Sequence, residues 1–150
     1  MREFECLRDL AEEKGNEIGV SPWLTIDQER INLFAEATDD YQWIHVDPKR
    51  AKAELNMPTI AHGYLTMSLI PRFMGEIFTV KSVERAINYG ANKLRFTNMV
   101  PVNSRVRGRI RLDRAVLGEK SIRTISTVTI DIEGQEKPAL IAEAITLMFE

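Results

Sequence analysis

The sequence predicts an α+β protein in which one antiparallel sheet is laid against a single apolar helix. Three observations carry this. The stretch "AHGYLTMSLIPRFMGEIF", residues 61–78, is apolar on nearly every helical face, which places it inside rather than on a surface. From residue 83 onward the hydrophobic period drops to two, most clearly in "SRVRGRIRL", where Val106, Gly108, Ile110 and Leu112 face one way and Arg105, Arg107, Arg109 and Arg111 the other. The helical patterns also precede the long strands instead of alternating with them, which favours an antiparallel sheet over repeated βαβ units.

The elements follow in order. Residues 1–19, up to the glycines at 15 and 19, read as a weakly helical N-terminal extension of one domain covering residues 1–150. "GVSPWLT" has the composition of an early strand. In "TIDQERINLFAEAT", Thr25 followed three residues later by Gln28 has the spacing of a capping box. Ile31, Phe34, Ala35 and Thr38 then share one face of an amphipathic helix that ends near Thr38. "DPKRAKAEL" starts another helix, with Asp47 as N-cap and Pro48 at the first helical position, and it stops before Pro58. Pro71 is expected to kink or interrupt the apolar helix, because it lacks the N–H that a helix interior needs. "INYGANKLRFT", "SRVRGRIRL", "KSIRTISTVTIDI" and "PALIAEAITLMF" are the long strands, with "NMVPVN" and "EGQEKP" as turns.

Composition narrows the function classes. A hydrophobic share of 44% and a charged share of 28% fit an ordinary globular domain with a real core. A net charge of −2 gives no global attraction to nucleic acid or anionic lipid. A single cysteine, Cys6, makes no intrachain disulfide, and with only two histidines a structural zinc site is not expected, nor is any other metal or cofactor. The N-terminus has no apolar signal core, and no apolar run reaches the roughly 20 residues that span a bilayer. A cytoplasmic setting is the expectation.

The chemistry concentrates in "ATDDYQWIHVDPKRA", residues 37–51. Asp40 and His45 lie five residues apart; a helix would point them about 140° apart and a strand would separate their Cα atoms by about 16 Å. Only a loop that folds back lets them share a substrate, and Trp43 and Ile44 are apolar anchors able to pin such a loop. A carboxylate beside an imidazole can activate water, yet the same spacing also occurs in plain surface loops. Asp39 reads as a solvated carboxylate. A second element is "PTIAHGYL": His62 and Gly63 open the apolar helix, where backbone N–H groups are free and a side-chain-free glycine lets an oxygen approach. Close helix packing for Gly63 and a satisfied core or cap histidine for His62 are the structural alternatives.

Together, "DDYQWIHVDP" and "PTIAHGYLTMSL" resemble the MaoC-like dehydratase family, which includes R-specific enoyl-CoA hydratases, and the first phrase is similar to its nodulation-protein-N-like branch. The resemblance runs over roughly residues 20–149, including "NKLRF" and "VPVNSRVRG". It implies a hot-dog fold, a long central helix wrapped by a curved antiparallel sheet, and a homodimer or higher homo-oligomer with a continuous sheet. It implies a lyase of fatty acid metabolism that adds water to a trans-2-enoyl thioester, with Asp40 and His45 as the water-activating dyad and Gly63 as oxyanion donor. The expected partner is an acyl-CoA or acyl-carrier-protein thioester, with Gln42, His62, Tyr64, Met67 and Arg95 as candidate substrate contacts. The hydratase phrase usually runs Gly-Asp-x-Asn-Pro-Leu-His; here Asp39, Gln42 and Trp43 replace the glycine, asparagine and proline, which bears on substrate choice. An acyl-CoA thioesterase and a non-catalytic acyl-CoA-binding subunit remain as other readings. The row Arg105, Arg107, Arg109 and Arg111, with Asn92, Lys93 and Arg95, is either a solvated face or a cationic surface for CoA phosphates.

Overall fold

In a computed structural model describing residues 1–150, the strands form around the helix as expected. The order is β1 (Arg2–Phe4), α1 (Leu7–Glu12), β2 (Glu17–Val20), β3 (Leu24–Ile26), α2 (Gln28–Thr38), α3 (Trp43–Val46) and α4 (Pro48–Leu55). Then come α5 (Gly63–Ser68), α6 (Ile70–Ile77), β4 (Phe78–Val80), β5 (Arg85–Phe96), β6 (Ser104–Leu117), β7 (Ser121–Ile132) and β8 (Leu140–Phe149). The main sheet has the order β2-β6-β7-β8-β5, with β3 also pairing β6, and its β2-β6, β3-β6, β6-β7, β7-β8 and β5-β8 pairs are all antiparallel. This is the hot-dog architecture.

The core is where the alternating strands meet the central helix. Val106, Ile110, Ile122, Val128, Ile130 and Leu140 are wholly buried from the sheet side, and Phe73 from the helix side. Gly108 makes the fit possible: a Cβ there would lie 2.6 Å from Cβ of Phe73 and 2.8 Å from its Cγ. The helix therefore sits closer to β6 than any side chain at 108 would allow.

Several local expectations change. The helix after β3 is capped by Asp27, whose carboxylate accepts from Arg30 N at 2.9 Å, not by Thr25. Thr25 is occupied in β3, paired with Arg105, so the strand takes the residue that the capping spacing offered to the helix. The early strand is two strands, split around Pro22, which has no N–H for a ladder. In the N-terminal segment the helix covers only Leu7–Glu12; it is flanked by β1, which pairs parallel with β4, and by β2 on the main sheet. The central helix is broken at Leu69, and Pro71 falls in the first turn of α6, where its missing N–H costs nothing. It is also not buried all round. Tyr64, Ser68, Pro71, Arg72 and Gly75 are exposed along one side, next to the open edge strand β5.

The arginine row of β6 is an ion-pair ladder. Arg105 meets Glu133 at 2.9 Å, Arg107 and Arg109 both meet Asp131 at 3.3 and 2.7 Å, and Arg111 meets Asp113 at 3.6 Å. Trp23 lies under Arg105 and Arg107, 5.8 and 4.4 Å from ring centre to guanidinium. Each arginine is answered locally, as on a solvated sheet face.

Candidate active site

The loop that follows α2 does fold back. Asp39 closes α2 in the left-handed region at φ 56°, which turns the chain sharply. Gln42 then caps α3, a single turn that exists to present His45 inward: His45 N donates to the Gln42 carbonyl at 2.9 Å, and His45 is 7% exposed. Trp43 and Ile44 anchor this turn as expected. Arg50 stacks on the Trp43 ring at 4.5 Å, and the Ile44 carbonyl accepts from Ile60 N at 3.1 Å. Gln28 braces it from α2, donating to the His45 carbonyl at 2.8 Å while accepting from the Thr59 hydroxyl.

The hydrogen bonds fix the tautomers. His45 Nδ1 lies 2.7 Å from the Ile60 carbonyl, and a carbonyl only accepts, so Nδ1 carries the proton and Nε2 keeps its lone pair. Burial pushes the His45 imidazolium pKa below its ordinary 6.5, and the nearby His62 adds to this; the Ile60 carbonyl and the Asp40 carboxylate oppose it. Burial thus favours the neutral imidazole of His45, with Nε2 free.

His62, 2% exposed, ties the two halves of the site together. Its Nε2 donates to the Asp40 backbone carbonyl at 2.9 Å, and its ring stacks on His45 at 3.9 Å between centroids and 28° between planes. Phe34 covers it at 5.0 Å. Its Nδ1 is buried without a partner. Ligand-type atoms of Asp40, His45 and His62 all lie within 4.8 Å of one another. Stacked rings send their in-plane lone pairs along near-parallel lines, and each ring is held by its own backbone carbonyl, Ile60 for His45 and Asp40 for His62, a geometry less suited to convergence on one metal ion.

Immediately after His62, Gly63 starts α5, where its N–H has no intrahelical acceptor. A Cβ at 63 would come within 3.0 Å of the Phe96 ring. His45 and Gly63 open on one cavity of about 480 Å³, whose wall also includes Ala61, Thr66, Phe96, Asn98, Met99 and Lys137. The arrangement offers a neutral imidazole nitrogen, a solvent-facing carboxylate and a backbone donor at the positive end of a helix. That set can hold and deprotonate a water beside a polarised carbonyl.

Asp40, His45 and Gly63 are therefore neighbours. The other candidate contacts are spread more widely. Gln42 is exposed at the cap of α3, and Tyr64 is 66% exposed, edge-on to Phe96 at 5.6 Å. Met67 lines a separate cavity of about 180 Å³ with Ile70, Pro71, Asn88 and Ala144. Arg95 is exposed on β5 and bonds the neighbouring Leu94 carbonyl at 2.7 Å. Thr66, Asn98 and Lys137 line the site without any sequence signal, because only the fold brings residues 97–99 and the β7–β8 turn beside the start of α5.

Known proteins resemble this chain in sequence and in fold. The family described as MaoC like domain matches residues 9–134. A relative named 3-hydroxyacyl-thioester dehydratase Z, from Mycobacterium tuberculosis, is 50% identical over 146 residues, covering 97% of each chain. Nodulation protein N from Rhizobium meliloti is 45% identical, covering 94% of this chain and 89% of that protein. The unliganded R-hydratase PhaJ1 of Pseudomonas aeruginosa superimposes with a TM-score of 0.73 at 22% identity, covering 97% of this chain and 86% of that one. With the family match spanning most of the sequence and the first relative half identical end to end, the chain belongs to the MaoC-like domain family.

Proposed function

We propose that this MaoC-type hydratase/dehydratase adds water across the double bond of a trans-2-enoyl thioester, giving a 3-hydroxyacyl thioester, and catalyses the reverse dehydration. The observation that supports this reading is the juxtaposition of the Asp40 carboxylate and the His45 imidazole within 4.8 Å, with His45 and the free Gly63 N–H on one cavity. The thioester carbonyl accepts from Gly63 N–H, where enolate charge develops at the helix N-terminus. Asp40 and His45 Nε2 hold one water against C3. Its oxygen bonds to C3, one of its protons passes to the dyad, and a proton is returned to C2, so that the net change is addition of H₂O. Asp40 is the general base of this scheme, and His45 orients the water and shares the proton. His62 acts on the position of Asp40 rather than on substrate. The acyl tail runs along the central helix toward Met67, with Tyr64 at the rim; Gln42 and Arg95 lie outside this core scheme.

The same reading takes residues 1–150 as one cytoplasmic domain that pairs with a second copy. The free edge β5, twelve residues long with Ile87 and Tyr89 exposed at 46% and 64%, supports pairing there into a continuous sheet. Sedimentation of the wild type against Tyr89→Glu tests it, with a loss of dimer expected.

The activity test is hydration of crotonyl-CoA, followed by loss of enoyl-thioester absorbance, with free thiol measured in parallel. Absorbance loss without thiol release is expected. Thiol release from saturated acyl-CoA would replace this reading with a thioesterase, and binding without turnover would replace it with an acyl-CoA-binding subunit.

A further inference from the structure

The cavity that holds His45 and Gly63 has one side chain of fixed charge on its wall, Lys137. It is exposed and forms no ion pair, whereas Lys81, Lys93 and Arg105, Arg107, Arg109 and Arg111 of β6 are each answered by a carboxylate. Its backbone is clamped to the loop after β5. Asn98 Nδ2 donates to the Lys137 carbonyl at 3.2 Å, the Thr97 hydroxyl to the Pro138 carbonyl, and Thr97 N to the Ala139 carbonyl at 2.9 Å. Pro138 further restricts Lys137 to extended backbone. Glu136, exposed and directly before Lys137 in the same turn, forms no ion pair with it, and Glu133 is engaged by Arg105 at 2.9 Å. A fixed base thus carries an exposed ammonium, not held in an ion pair, at the edge of an otherwise neutral pocket.

A thioester substrate has two chemically distinct ends. The acyl end reacts, and the far end of the pantetheine arm carries phosphate, either as a nucleotide diphosphate in CoA or as a phosphodiester on a carrier protein. We propose that Lys137 is the cation that receives the phosphate of the carrier arm and so selects phosphopantetheine thioesters over phosphate-free ones. This rests on the hydratase reading above, but it concerns a residue and a ligand group outside the Asp40, His45 and Gly63 chemistry. A lysine suits the task because its ammonium is a point charge on a flexible stem, able to follow a mobile phosphate.

The test compares wild type with Lys137→Glu and Lys137→Arg on crotonyl-CoA, crotonyl-acyl carrier protein and crotonyl-N-acetylcysteamine, which lacks phosphate. Lys120→Glu, in the β6–β7 turn at the opposite end of β7, controls for net charge. For Lys137→Glu the KM on crotonyl-CoA rises about tenfold, the size of one charge pair lost and one repulsion gained, while its KM on the phosphate-free thioester stays at the wild-type value. Lys137→Arg restores most of the affinity, and Lys120→Glu changes neither KM. An equal effect on the carrier-protein substrate assigns the contact to the phosphate common to both carriers; an effect on CoA alone assigns it to the nucleotide phosphates. A KM for crotonyl-CoA within twofold of wild type in Lys137→Glu, or an equal rise on all three thioesters, overturns the proposal. Calorimetric binding of CoA against pantetheine keeps the two readings separable. A wild type that lacks hydratase activity but binds CoA, with that binding weakened by Lys137→Glu, would end the hydratase reading and leave this one standing. No preference for CoA over pantetheine would end this one.

Discussion

Gly63→Ala separates the chemistry of the site from the stability of the fold. The added Cβ would stand 3.0, 3.0 and 3.1 Å from three atoms of the Phe96 ring, a few tenths of an ångström inside ordinary contact. Phe96 is 43% exposed and leans on Tyr64 at 5.6 Å, so the ring can yield without opening the core. Alanine is also favoured over glycine in a helix by about 1 kcal/mol, which offsets that adjustment. Unfolding free energy should therefore stay within about 1 kcal/mol of wild type, or about 4 °C in Tm for a chain of this size. On the proposed mechanism the reaction should suffer far more, because a methyl beside this N–H crowds the approach of the thioester oxygen; losing one oxyanion donor costs about 10²–10³ in kcat. Urea unfolding and steady-state hydration of crotonyl-CoA measure the two effects on the same preparation. A folded Gly63→Ala protein that hydrates within about threefold of wild type would refute the role given to this N–H.

The other predictions follow from the same geometry. Gly108→Ala should do the reverse of Gly63→Ala, since its Cβ would meet three atoms of the fully buried Phe73 at 2.6, 2.8 and 2.9 Å with no exposed ring to give way. Overpacking of this kind costs about 1–3 kcal/mol, read as a lower urea midpoint at unchanged m, and an unchanged midpoint would show that α6 does not sit as close to β6 as described. The pH dependence is set by His45, the water-orienting imidazole, whose pKa burial holds below 6.5, so the acid limb of kcat/KM should fall below 6.5. A limb above 6.5 that disappears in His45→Gln would contradict the tautomer and burial argument. For stability, the unfolded chain binds this proton more readily than the native one, so stability is lost as pH falls through 6.5 toward the lowered native value. His45→Gln should flatten that slope.

Much of the fold was legible because its signals are periodic and local. The alternation of Val106, Gly108, Ile110 and Leu112 against four arginines survives as β6, with the apolar set buried. Asp47 and Pro48 start α4 as their chemistry requires, Asp47 accepting from Arg50 N at 2.9 Å. The competition between a strand and a cap at Thr25 was not legible, because pairing with Arg105 is a long-range contact invisible to local spacing. The same limit applies to the site. Asp40, His45 and Gly63 are candidates by residue type and by family resemblance, while the bond that ties His62 to the loop, His62 Nε2–H to the Asp40 carbonyl, uses a backbone acceptor that every residue possesses. Lys137 is further still from sequence reach, being 92 residues from His45 and carried to the cavity by the sheet.

The central claim is that Asp40 and His45 together activate water. Its most direct measurement is the single-turnover rate of crotonyl-CoA hydration by Asp40→Asn, His45→Gln and the double variant, each checked for native circular dichroism. A working dyad predicts a loss of about 10²-fold or more in each single variant, and a double variant little worse than either, as for groups that act as a unit. Near-wild-type hydration by both single variants in folded protein would contradict the account and move the chemistry elsewhere in the cavity.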